Sequence, residues 1–97
     1  MEEAYKLKFL DYLHVVKNAS AHTIRNYGLD LNAFQTYAKE VPLKEVDKKV
    51  IRGYLAHLNL KQATKRTILR RLSSLRSFFK YLLKENLLPH NPIDEIQ

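Results

Sequence analysis

The 97-residue chain has no cysteine and no tryptophan, only two glycines and three prolines. The missing thiols exclude disulfides, cysteine-ligated zinc and thiol catalysis. So few glycines leave no Gly-rich loop to cradle a nucleotide phosphate. No apolar run approaches the roughly 18 residues of a membrane span. Charge interleaves with apolar residues from Glu2 to Lys17, unlike a signal peptide. A soluble, cytoplasmic chain forming one domain is expected. β-Branched residues do not alternate with polar ones, so strands are not expected. Acidic residues are scarcest in one place. Residues 61–85 hold eight basic side chains and one acidic, while the rest of the chain holds nine of each. The whole net charge of +7 therefore lies in that segment. Such concentration points to a polyanionic partner, against the plain alternative of a solvated helix face.

What is present is helical periodicity. A first helix is predicted over 2–16, with Tyr5, Phe9, Tyr12, Leu13 and Val16 inward and Leu7, Leu10 and His14 opposite. Glu2 and Glu3 at its start suit the helix dipole. Ser20 is an N-cap candidate for a second helix over 21–39, burying Ile24, Tyr27, Leu31, Phe34 and Ala38. Gly28 inside it costs roughly 1 kcal/mol of helix propensity, which a close approach by another helix would explain. Asp47 caps a third helix over 48–58, with Val50, Ile51, Tyr54, Leu55 and Leu58 inward. A fourth is predicted over 62–84. Pro89 and Pro92 then mark an extended tail.

The fourth helix carries the charge. Ile68, Leu72, Leu75, Phe79 and Leu82 share a narrow arc. Arg66, Arg70, Ser73, Ser77 and Lys80 fall on the far side, and Lys65, Arg71 and Arg76 flank the apolar arc. No glutamate stands four residues from these arginines, so intrahelical pairing is not their purpose. Arg66 to Lys80 covers about 21 Å at roughly 1.5 Å per residue. A DNA major groove is only about 12 Å wide. The N-terminal half of the face is therefore expected over the groove, with the other cations near phosphates. Helix N-termini also attract phosphate, which adds Thr64 and Thr67 here and Ser20, His22 and Thr23 on the second helix, where Arg25 and Asn26 follow. For Ser20, simple capping is an equal reading, and Thr64 and Thr67 also read as ordinary surface residues. Neutralising about six phosphates would give a slope of log K against log[salt] near −5.

Two motifs carry a family resemblance. Residues 20–37 read S-x-x-T-x-x-x-Y-x-x-D-L-x-x-F-x-x-Y, and residues 67–82 read T-x-x-R-x-L-S-x-L-R-x-F-F-x-Y-L, with "NP" at Asn91 and Pro92. In this order and spacing the chain resembles the N-terminal core-binding domain of the tyrosine recombinases, the phage-integrase and Xer group. The resemblance implies an all-α, SAM-like bundle of four helices with an extended C-terminal tail. It implies double-stranded DNA as partner, held in half of a clamp whose second and fourth helices face the major groove. Residues 1–88 would be the domain, and 89–97 the start of a linker to a C-terminal catalytic domain bearing the tyrosine nucleophile. Neighbouring recombinase protomers would be partners of the full-length assembly, with the isolated domain monomeric. The lack of an arm-binding segment before Glu2 leans towards the Xer group.

Chemistry within the chain itself is not expected. All six tyrosines read as packing residues, and His14, His22, His57 and His90 lack metal-ligand spacing. No cofactor, metal or membrane is implied. Asp30 and Arg76 are expected either to pair between the second and fourth helices or to leave Arg76 for phosphate. The competing function is a helical protein-interaction module whose basic helix docks an acidic protein. A stand-alone helix-turn-helix repressor is a third reading, weakened by the missing short Gly-containing turn.

Overall fold

Four helices form the regular structure of residues 3–94, the part of the chain described by a computed structural model. They are α1 (Glu3–Val15), α2 (Ala21–Tyr37), α3 (Lys48–Leu60) and α4 (Lys65–Lys84). A short 3₁₀ turn, Leu43–Glu45, precedes α3. The bundle is all-α, as the periodicity predicts.

The caps explain the boundaries. Ser20 Oγ accepts from the Thr23 N–H at 3.1 Å, and Asp47 Oδ1 from the Val50 N–H at 3.0 Å. Thr64 Oγ1 accepts from the Thr67 N–H at 3.1 Å. Thr64 is thus the N-cap of α4, which begins three residues later than the predicted start at Gln62. Three helices stop at a left-handed residue: Asn18 (φ 52°), Gln62 (φ 61°) and Asn86 (φ 60°). The Ala19 N–H returns to the Leu13 carbonyl and the Leu87 N–H to the Leu82 carbonyl, both at 2.9 Å, satisfying orphan acceptors. α2 ends two residues before the expected Lys39 and α3 runs two past Leu58.

α4 packs against each of the other three helices, and α1 packs against α2. Phe9, Leu31, Phe34, Ile51, Tyr54, Leu75, Phe79 and Leu82 build the core. Phe9 meets Phe78 edge-on at 5.4 Å, and Phe34 meets Tyr54 at 5.2 Å. The tyrosines accordingly pack. Tyr54 and Tyr81 are buried, and Tyr5, Tyr12 and Tyr27 lie against the core. Tyr37 lies over α3, and a β-carbon on Gly53 would come within 2.7 Å of its hydroxyl.

Several expectations need correction. Val16 is 66% exposed, whereas Leu10 packs on the core and Lys6 is buried. Lys6 Nζ donates to Asn32 Oδ1 at 2.6 Å, tying α1 to α2. No close helix approach explains Gly28. A β-carbon there would lie 3.8 Å from Leu10 Cδ1, an ordinary contact. α4 is turned relative to its predicted orientation, because Phe78, Tyr81 and Ser74 are buried while Ile68 and Leu72 are only partly so. The shift is roughly half of one ~100° residue step. It follows from α4 lying between three helices, so that its buried arc is wider than one stripe. The tail lacks regular helix, as its prolines require, but it folds back onto the bundle. Leu88, Asn91, Pro92 and Ile93 are buried. Asn91 Oδ1 accepts from the Ile93 N–H at 3.0 Å and fixes that return. Glu2 lies outside the described residues.

Candidate nucleic-acid interface

A buried carboxylate lies where α2 crosses α4. Asp30 shares the inward face of α2 with Tyr27, Leu31 and Phe34, and its side chain is 2% exposed. It accepts from Arg70 at 2.9 Å on one oxygen and from the Ser74 hydroxyl at 2.6 Å on the other. Nearby, the Tyr27 and Ser77 hydroxyls lie 3.4 Å apart. Arg70 therefore has an internal partner, contrary to the expectation that the cations of α4 lack one. Arg76 is not that partner. Its side chain is exposed and makes no ion pair among the described residues.

A shallow groove opens above this lock. Thr23, Asn26, Tyr27, Asp30, Arg70, Ser73 and Ser74 line a cavity of about 240 Å³. Half of the Arg70 side chain remains exposed, at 52%. Thr23, Asn26, Arg70 and Ser73 from the sequence-derived set thus meet in one place. Thr23 and Tyr27 also border a second cleft that Ser77 and Lys80 line. His22 is exposed one turn away, its Nε2 3.3 Å from Asn26 Nδ2. Ser20 caps its helix while remaining exposed. Arg25, Lys65 and Arg66 are exposed and, among the described residues, free of carboxylate partners. None of these three lines the groove.

Three further residues of the set have neighbours within the bundle. Thr64 and Thr67 bond each other, hydroxyl to hydroxyl at 3.1 Å, and Thr67 is half-buried. Arg71 turns inward, with a buried Nε beside the Tyr54 hydroxyl. Neither atom completes a hydrogen bond within the bundle. Burial raises the Tyr54 pKa above its ordinary value, and the neighbouring Arg71 charge opposes this only in part. Burial likewise raises Tyr81, aided by Glu85 and Asp11. Both shifts disfavour the phenolate that a nucleophile requires. Among the described residues no group of histidine, aspartate or glutamate has metal-site geometry, and no helix is long and apolar enough to cross a membrane.

The sequence reading missed Lys17 and Lys84, which line the cleft with Lys80. It also missed Leu69, exposed at 54% among the cations of α4. Only Lys84 had a signal, as the last cation of the basic segment. Arg71 had one too, since Ile68 and Leu75 stand three before and four after it on the apolar side.

Comparison with known proteins places the chain in a family. Residues 7–86 match the model of the phage integrase N-terminal SAM-like domain. The chain is 43% identical over 88 residues to tyrosine recombinase XerC of Thermodesulfovibrio yellowstonii, covering 91% of this chain and 29% of that protein. It is 40% identical to XerC of Listeria innocua, covering 88% and 29%. With XerC of Chlamydia caviae it shares 34% over 109 residues, covering 91% and 35%. The chain spans about a third of the length of these relatives. No solved structure matches it.

Proposed function

The chain belongs to the phage-integrase N-terminal SAM-like domain family, and from this we propose that it is the DNA-binding domain of a cytoplasmic, site-specific tyrosine recombinase similar to XerC. Its α2 and α4 face the major groove as half of a clamp, and a separate C-terminal domain closes the other half. Cutting and rejoining belong to that domain. Residues 89–97 lead towards it, and neighbouring protomers join only in the full-length assembly, the isolated domain being monomeric.

The observation that carries this reading is the groove between α2 and α4. It combines hydroxyl and amide groups that suit base edges with the half-exposed Arg70, while Arg25, Lys65 and Arg66 stand exposed elsewhere on the same two helices without carboxylate partners among the described residues. Arg70 serves differently from the rest. Asp30 offsets its charge and fixes its orientation, so it offers directed N–H donors more than net charge. Arg71 makes no contact to DNA, and Thr64 and Thr67 act as a cap. Arg25, Lys65, Arg66 and Lys80 supply the electrostatic part. About four neutralised phosphates give a salt slope of roughly −3.5.

Retardation of duplex DNA across a salt series tests the proposal. Binding that weakens with this slope is expected. Failure to retain any duplex at low salt, with capture of an acidic protein instead, would establish the interaction-module alternative.

A further inference from the structure

The second cleft, about 460 Å³, lies between the C-terminal end of α1 and the second half of α4. Its floor is apolar and aromatic: Phe9, Tyr12, Leu13 and Tyr81. Lys17, Lys80 and Lys84 stand around it, and no carboxylate lines it. Among the described residues none of the three lysines forms an ion pair. Lys17 and Lys84 both approach the Tyr12 ring, their Nζ atoms 5.9 and 5.7 Å from its centroid. The ring attracts each ammonium group, and no carboxylate of the cleft neutralises either. The left-handed Asn18 and the Ala19-to-Leu13 hydrogen bond end α1 at this point and aim Lys17 back over it.

From this we infer an anion site, and the anion it fits is a backbone phosphate of duplex DNA, with the adjoining deoxyribose against the aromatic floor. The inference rests on the proposed DNA-binding reading and extends it to α1. Continuity supports the choice of ligand, since Thr23 and Tyr27 border both this cleft and the α2–α4 groove. A duplex seated in the groove therefore passes its backbone over the cleft. The Thr23 hydroxyl, and whichever of the bonded Tyr27 and Ser77 hydroxyls accepts from the other, can donate there as well. Lys17 and Lys84 are assigned to one phosphate, since both border the same cleft beside Tyr12.

The test combines lysine removal with neutralisation of single phosphates. Lys17→Ala, Lys84→Ala and the double variant are titrated with a duplex across a salt series. Sharing one phosphate predicts that the double variant lowers the slope by about 0.9, not about 1.8, with each single variant losing part of that. Duplexes carrying one methylphosphonate each are then scanned. At one position the neutral linkage should weaken wild-type binding several-fold and leave the double variant unaffected. An unchanged slope in the double variant, or no such position, overturns the inference while leaving DNA binding intact. Binding of a free nucleoside monophosphate in the cleft, seen as Tyr12 NMR shifts, overturns it if the lysine variants bind duplex normally. Failure of wild-type protein to bind any duplex overturns both readings.

Discussion

Removing Arg70 should destabilise the domain far more than a surface charge does, because it leaves Asp30 buried without a cation. Taking one partner from a fully buried ion pair costs about 3–5 kcal/mol. Exposed pairs contribute about 0.2–1 kcal/mol. This pair is mixed, with the aspartate 2% and the arginine 52% exposed. Ser74 still donates to Asp30 in the variant. These terms place Arg70→Ala near ~2 kcal/mol. For a domain of this size each kcal/mol moves Tm by about 4–8 °C, so a fall of roughly 8–16 °C is expected. Asp30→Ala removes two charge-assisted hydrogen bonds and strands the Ser74 hydroxyl, for a loss of about 2–3 kcal/mol. The double variant should lose less than the sum, with a coupling energy of about 1.5 kcal/mol. Urea unfolding followed by circular dichroism, with calorimetry for Tm, measures the cycle. A coupling below about 0.3 kcal/mol, or an unmoved Tm in Arg70→Ala, would refute the α2–α4 lock.

Arg66→Ala should reduce the salt slope of duplex binding by about 0.9, whereas Arg70→Ala should change it by much less, because Asp30 already offsets that charge. Equal slopes lost by both variants would contradict this division. Gly28→Ala should stabilise by about 0.5–1 kcal/mol, since the added methyl meets only ordinary contact and helix propensity improves; thermal unfolding reads it directly. Tyr54 titrates higher in the folded chain than in the unfolded one, so its burial stabilises fully below about pH 10. That contribution is lost as the pH rises beyond 10, and Tyr54→Phe should flatten the alkaline limb of a stability–pH curve while changing neutral-pH stability by less than about 1 kcal/mol. Ile93→Ala should cost about 2–3 kcal/mol, a cavity penalty that a freely extended tail would not show in denaturant melts.

Much of the helical framework was legible in the sequence. Hydroxyl and carboxylate side chains stand just before apolar-periodic runs at Ser20 and Asp47, and local bonding makes such caps readable. Thr64 stands before the fourth run as well, but the pattern of apolar residues did not separate it from Gln62. Thr23 and Ser73, which meet in the groove, each belong to one of the two motifs, whereas Ser77 lines the second cleft instead. Asp30 carried a readable signal, a lone carboxylate on an apolar face, but not its partner's identity. The motifs pointed to Arg76 as that partner, and only the crossing of α2 over α4 gives the role to Arg70.

By itself the sequence determined the four helices, most of their caps, the clustering of charge in the last helix and the absence of thiol chemistry. All of these depend on residues within a turn or two of one another, or on composition. Tertiary structure alone decided how far α4 turns about its axis, which arginines keep their charge for a partner, and that the tail returns to the core. It also brought Lys17 beside Lys84. These outcomes depend on contacts between segments far apart in the chain, where a rotation of half a residue step turns Arg71 partly inward and leaves Arg76 facing solvent.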